Sequence, residues 1–323
     1  MIQNPRAYFE TPECKRGIQS MTKSTYILFS ILTVCLVAGN IHADALKGMY
    51  ISTNLGLATT SSFDYLGSST DQGSVCDPII NPNEESRQIA GCPTEGTGWL
   101  SKFDSASGIA TAIIVGRHVD GSGILKKLSI ELEYSYGESS LDQTQSIRSR
   151  SGVARDKLNN EIYRAQEHIG KITSQSVFAN LRYNFRSQHK TRPYLGAGFG
   201  LVKTSIYGGR IWVRNNDWTQ ITTGSSLPNS EEVRRNLAGT TSSVHETLND
   251  SSTTMQFFAG VDLQINDTTS IGLRGKFLQV ESFEATGGLD VLRSHEVPES
   301  YSSKRELESL RVVGVGLTVT IQL

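Results

Sequence analysis

Cysteine is scarce in this chain, long apolar runs are nearly absent, and net charge is close to zero. The 323 residues hold four cysteines and carry a formal charge of −1. Near-neutrality removes the electrostatic basis of nucleic-acid binding, which rests on a basic excess. One apolar stretch stands near the start, at 26–39. Behind it, no segment reaches the about 20 apolar residues that a membrane-crossing helix needs. Cys35 lies inside that stretch behind Leu32-Thr33-Val34, without the small residues that precede a lipidated cysteine. Past residue 43 only Cys76 and Cys92 remain, with no histidine close in sequence, too few ligands for a zinc site. No other residue set implies a cofactor.

What is present begins with an export signal. Lys23 opens a short basic region, 26–39 (YILFSILTVCLVAG) is apolar, and Ile41-His42-Ala43 offers a small residue for cleavage. Met21 stands just ahead, so 1–20 reads as leftover sequence from an upstream start codon, 21–43 as the signal and 44–323 as the mature chain. An exported chain permits a disulfide between Cys76 and Cys92. Closing the 15 intervening residues is worth about 3 kcal/mol on the entropic account.

The end of the chain carries the plainest pattern. Val313, Val315, Leu317, Val319, Ile321 and Leu323 alternate with Gly314, Gly316, Thr318, Thr320 and Gln322. Period-two alternation is the mark of a strand with one apolar face. Similar segments at 48–59, 107–119, 127–136, 174–185, 192–204, 253–265 and 269–282 precede the last, at 309–323. Their connections alternate: 120–123, 186–191 and 266–268 are short turns, whereas 60–106, 137–173, 205–252 and 283–308 are long. An up-and-down arrangement puts all short turns at one end and all long loops at the other. The expected fold is all-β, an eight-stranded antiparallel up-and-down transmembrane β-barrel with long extracellular loops.

In such a barrel the apolar face meets lipid. The other face is small or polar: Gly196, Gly198 and Gly200 in the fifth strand, glycines and threonines in the last. Glu131, Glu133, Arg182, Asp262, Arg274 and Lys276 also fall there, three acids against three bases, and predict an interior ion-pair network. Tyr50, Tyr134, Tyr136, Tyr183, Phe185 and Tyr194 lie near strand ends, where aromatic girdles form.

Arg192-Pro193-Tyr194-Leu195-Gly196-Ala197-Gly198-Phe199-Gly200 and the terminal strand resemble the small outer-membrane β-barrel superfamily of Gram-negative bacteria, the group of opacity-type adhesins and OmpA-like transmembrane domains. The resemblance covers about 48–323. It implies a bacterial outer-membrane location with the long loops outside, contact with membrane lipid and lipopolysaccharide, and insertion by the outer-membrane assembly machinery. Val319, Ile321 and Leu323 match that machinery's signal, which usually ends in phenylalanine; the terminal leucine departs from it while staying apolar. The chain stops at the last strand, so the anchoring role of relatives with a peptidoglycan-binding domain is not transferred.

Function then falls to the loops. In the second, 156–171 (DKLNNEIYRAQEHIGK) suits a short solvent-facing helix with Leu158, Ile162 and Ile169 as a modest stripe. In the third, Tyr207, Trp212 and Trp218 read either as an exposed aromatic contact surface or as strand extensions packed on each other. In the fourth, Arg293, Lys304 and Arg305 are candidates for bridging lipopolysaccharide phosphates from a hydrated face. Some small barrels are lipid-modifying hydrolases. Here His118 and His189 lie by short turns, His168, His245 and His295 lack a serine partner motif, and Glu167-His168 lacks zinc-protease spacing. The expected function is non-enzymatic: loop-borne adhesion to a host or matrix receptor. The alternatives are a narrow porin or a passive envelope-integrity protein. Eight strands enclose an interior that side chains fill.

Overall fold

The computed structural model describes residues 46–69, 98–149, 160–185, 190–222, 225, 228–280, 282–288, 302–307 and 310–323. Thirteen strands are found among them: β1 (Met49–Thr60), β2 (Phe63–Ser69), β3 (Gly98–Phe103), β4 (Ala106–His118), β5 (Leu128–Ser146), β6 (Arg148–Ser149), β7 (Ile162–Asn184), β8 (Thr191–Arg214), β9 (Thr241–Gln264), β10 (Thr269–Val280), β11 (Phe283–Gly288), β12 (Ser302–Leu307) and β13 (Leu310–Gln322). One helix, α1 (Ser230–Leu237), lies between β8 and β9.

Eight strands form a closed antiparallel ring in the order β1-β13-β10-β9-β8-β7-β5-β4. The first and last strands close it, from Tyr50 opposite Gln322 to Thr60 opposite Val312. Closure leaves no unpaired edge along this stretch. The alternation fixes the faces as expected. Leu55, Leu57, Ile130, Leu201 and Leu317 point outward and are 63, 65, 61, 61 and 64 % exposed. With Phe199, Phe257, Leu273 and Val315 they make an apolar belt around the wall, far beyond the apolar patches that monomers keep in water.

Among the described residues, strands reach into all four long connections. β1, β4, β10 and β13 have 12 or 13 residues, whereas β5, β7, β8 and β9 have 19, 23, 24 and 24. These four therefore run on past the belt by most of the length of a short strand again. The helix expected over 156–171 is corrected: 162–171 belongs to β7, paired on both sides through Gln166 opposite Ser146 and opposite Ile211. Leu158 lies outside the described residues. The partners on either side supply the ladder hydrogen bonds that a helix would satisfy internally.

On the opposite wall each short strand is followed or preceded by a strand of a second sheet, ordered β11-β12-β2-β3-β6. Its sequence β11-β12-β2-β3 repeats the ring order β10-β13-β1-β4. Two-residue breaks at 61–62 and 104–105 separate β1 from β2 and β3 from β4; β11 begins three positions after β10 ends, and β13 three after β12. From one strand of each pair to the next the buried parity changes. Thr60 is buried and then Phe63 and Tyr65; Phe103 and then Ala106; Leu278 and Val280, then Phe283 and Ala285; Leu307 and then Leu310. At 61–62 and 104–105 the added residue bends the chain as a β-bulge does. The barrel therefore continues outward as a second, kinked tier, here called the head. Its floor is one apolar cluster that includes Phe63, Phe103, Ile172, Phe178, Val202, Ile206, Leu248, Phe283 and Leu307.

Candidate functional site: a filled interior beneath a folded head

The interior is occupied in layers. At the end with the short turns, Arg182 pairs with Asp262, lies 3.5 Å from Glu131, and stacks 3.6 Å over the Tyr194 ring. Tyr50 donates its hydroxyl to Glu131 Oε1 at 2.7 Å. Tyr50 and Tyr194 are thus 1 % and 3 % exposed, a correction to their expected place in an outer girdle. They occupy even positions on strands whose odd positions face out. Tyr134 and Phe185 do face outward.

The next layer centres on Glu133. It receives Arg274 Nη2 at 2.8 Å, Lys276 Nζ at 3.0 Å, Asn180 Nδ2 at 3.0 Å and Gln256 Nε2 at 3.0 Å. Arg274 also reaches Glu131 at 3.2 Å and lies 3.8 Å over the Phe258 ring. All six charged residues singled out in the sequence therefore meet in one connected network. Such charges persist in a buried setting because each holds an opposite partner and further hydrogen bonds. Glycine makes the room: a Cβ on Gly198 would overlap the Asn180 carboxamide, and one on Gly200 the Phe178 ring.

Above this stands the apolar floor of the head. Above the floor is a second charged group that the sequence reading missed. Glu167 accepts a hydrogen bond from Ser101 Oγ at 2.8 Å. Arg305 Nε lies 3.8 Å from Glu167, and Arg210 Nη2 lies 3.7 Å from Glu246. The Trp99 ring faces Arg305 at 4.5 Å and Arg210 at 5.3 Å and meets Trp212 edge-on at 6.2 Å. Burial pushes the Glu167 carboxyl up to about 7, against the opposing pull of Arg210 and the Ser101 hydrogen bond. Arg305 is 1 % exposed, so its expected role on a hydrated, phosphate-bridging face is corrected. The residue alternates inward on β12, a strand that its charged neighbours concealed. Lys304, on the other face, pairs with Glu284 at 3.1 Å and Glu306 at 2.6 Å.

Of the aromatic candidates, Tyr207 and Trp212 lie in the β8 extension, half-buried. Trp218 is capped by Arg234 and Arg235 of α1, at 5.0 and 4.5 Å. Near the top, Arg214 and Glu161 pair at 2.9 Å, and Thr222 donates to the same carboxylate at 2.8 Å. His168 Nδ1 is 3.1 Å from Thr144 Oγ1 and its Nε2 is 3.7 Å from Asp142. Asp142 has φ 45° where β5 shifts register against β7, so this trio ties down a bulge. Cys76, Cys92, Arg293, His189 and His295 lie outside the described residues. Val319, Ile321 and Leu323 lie on the outward face of the last strand, 43, 51 and 50 % exposed.

No family model matches the chain, and no curated protein matches it. Among solved structures it is similar to Neisserial surface protein A, at 11 % identity over 86 % of this chain and 98 % of that one, with a TM-score of 0.39. It is similar to the outer membrane protein OprG from Pseudomonas aeruginosa, at 12 % identity over 86 % and 97 %, TM-score 0.42. It is also similar to the outer membrane protease OmpT from Escherichia coli, at 9 % identity over 84 % and 97 %, TM-score 0.37.

Proposed function

We propose that this chain is a bacterial outer-membrane β-barrel whose work is done by its head: a non-enzymatic surface protein that holds an adhesive platform for host or matrix surfaces on a closed membrane anchor. The observation that carries the reading is the division of labour along the barrel axis. The belted half is filled by the Glu131–Glu133–Arg274 network and roofed by Phe178, Val202 and Leu248. The other half spends roughly as many residues again on a packed β-structure with its own core. A passive pore needs a path through the interior, and a bare anchor needs no head. A rigid head suits recognition, because little ordering is left to be done on binding.

The test compares cells displaying the intact protein with cells displaying a barrel whose segments 61–105, 137–173, 204–252 and 281–309 are replaced by short turns. Surface display is measured for both. Lost attachment to host cells and matrix proteins with retained insertion is the expected result. Unchanged attachment, or ion conductance by the intact protein in planar bilayers, overturns the proposal in favour of the porin or envelope-integrity reading.

A further inference from the structure

The short-turn end of the barrel has features that neither closure nor a head requires. A cavity of about 720 Å³ opens there, lined among others by Lys126, Lys127, Arg182, Arg192, Asp120 and Asp262. The two acids are already engaged: Asp262 with Arg182, and Asp120 with Arg117 at 3.6 Å. Lys126, Lys127 and Arg192 leave a surplus of positive charge around the rim. Arg192 hydrogen-bonds only a neutral group among the contacts described, Gln264 Oε1 at 2.6 Å. Lys127 Nζ donates to the Tyr183 hydroxyl at 3.1 Å and lies 5.5 Å over that ring.

The turn that carries the lysines is built with aliphatic tips. Gly123, at φ 63°, takes a left-handed conformation that reverses the chain into a 3₁₀ turn at Leu125–Lys127. Ile124 and Leu125 are left 66 % and 47 % exposed directly beside Lys126 and Lys127. Aliphatic tips next to ammonium groups, with Tyr183 and Phe185 alongside, are the composition of a segment at a lipid boundary. The apolar part reaches acyl chains and the cations reach headgroups.

The geometry points to a binding site for anionic glycerophospholipid of the inner leaflet, with Lys126, Lys127 and Arg192 taking the phosphate and Ile124 and Leu125 taking the acyl chains. The proposal rests on the membrane reading above. A soluble phosphate would satisfy the cations but has no use for the aliphatic pair, and this separates the two sources.

The test reconstitutes the full chain in vesicles of phosphatidylglycerol with phosphatidylcholine and, separately, of phosphatidylcholine alone. Insertion is followed by protease protection, and lipid retained after detergent extraction is followed by native mass spectrometry. Surface cations contribute about 1 kcal/mol each toward an anionic headgroup, so K126Q/K127Q/R192Q is expected to lose retained phosphatidylglycerol about a hundredfold, about fivefold per charge. The single variant K126Q serves if the triple fails to insert. I124S/L125S is expected to weaken phosphatidylglycerol retention too, while millimolar glycerol phosphate displaces little of it. Neutralising three head cations, K102Q/K171Q/K304Q, is expected to change nothing. Equal retention by the rim variants and the parent, or indifference to I124S/L125S with full displacement by glycerol phosphate, overturns the lipid site while leaving the barrel reading intact. Failure to insert into either vesicle overturns both.

Discussion

Glu133 offers the sharpest test of how the interior is held. Its carboxylate is 1 % exposed and takes two cations and two amides, from Arg274, Lys276, Asn180 and Gln256. Glu133→Ala removes all four contacts and leaves three bases facing two acids. Arg274 keeps only Glu131 as a carboxylate partner, at 3.2 Å, and Lys276 keeps the Ser135 hydroxyl, also at 3.2 Å. Breaking a buried pair from one side costs about 3–5 kcal/mol, because the remaining charge stays desolvated and uncompensated. Removing charge from both sides behaves differently: E133L/K276L restores a two-to-two balance and is expected within about 1 kcal/mol of the parent. Urea unfolding of the vesicle-inserted protein, followed by tryptophan fluorescence and by the shift of the folded band on unheated gels, reads both numbers. A single variant within about 1 kcal/mol of the parent, or a double variant no better than the single, refutes the reasoning. The same variants test the second plug. The apolar roof at Phe178, Val202 and Leu248 is untouched, so E133A is expected to stay non-conducting.

Other consequences can be checked separately. Gly198→Val forces a side chain onto Asn180, and overpacking of this kind costs about 1–3 kcal/mol or more; slower appearance of the folded gel band is expected, with partial rescue by Asn180→Ala. Trp99→Ala removes the ring that both Arg210 and Arg305 lie against; a loss of about 3–5 kcal/mol is expected in the head alone, seen as proteolysis of the head with a protected barrel. The pH response of the head has an unusual sign. Burial holds the Glu167 carboxyl up to about 7, above its unfolded value, so between about 4.5 and 7 the folded head binds more protons than the unfolded chain. Stability then falls as pH rises through that window. Hydrogen exchange in the head at pH 5 and pH 8 is expected to show this slope, and Glu167→Gln to remove it.

Much of the wall was written in the alternation of the chain. A residue on the outer face of the wall and a residue facing a crowded interior differ in kind. Period two therefore survived in each strand of the ring, and with it the number of ring strands, the parity of connections and the inward place of Glu131, Glu133, Arg182, Asp262, Arg274 and Lys276. The ends of the strands were less legible. Beyond the belt the outward face of β5, β7, β8 and β9 turns polar, with residues such as Glu138, Lys171, Lys203 and Asn249. The apolar signal fades there although the ladder does not. On the other wall the buried parity switches between paired strands, so β2, β3, β11 and β12 fall out of phase with the strands they continue.

The sequence by itself determined a closed antiparallel barrel with one apolar face, because each position's neighbour two residues away reports the same environment. Tertiary structure alone decided that the long connections fold into a head, that Arg305 turns inward to Glu167, and that Tyr50 and Tyr194 fill the interior. These outcomes depend on residues brought together across the barrel, such as Glu167 of β7 with Arg305 of β12. No local period records which distant strand will supply a buried charge with its partner.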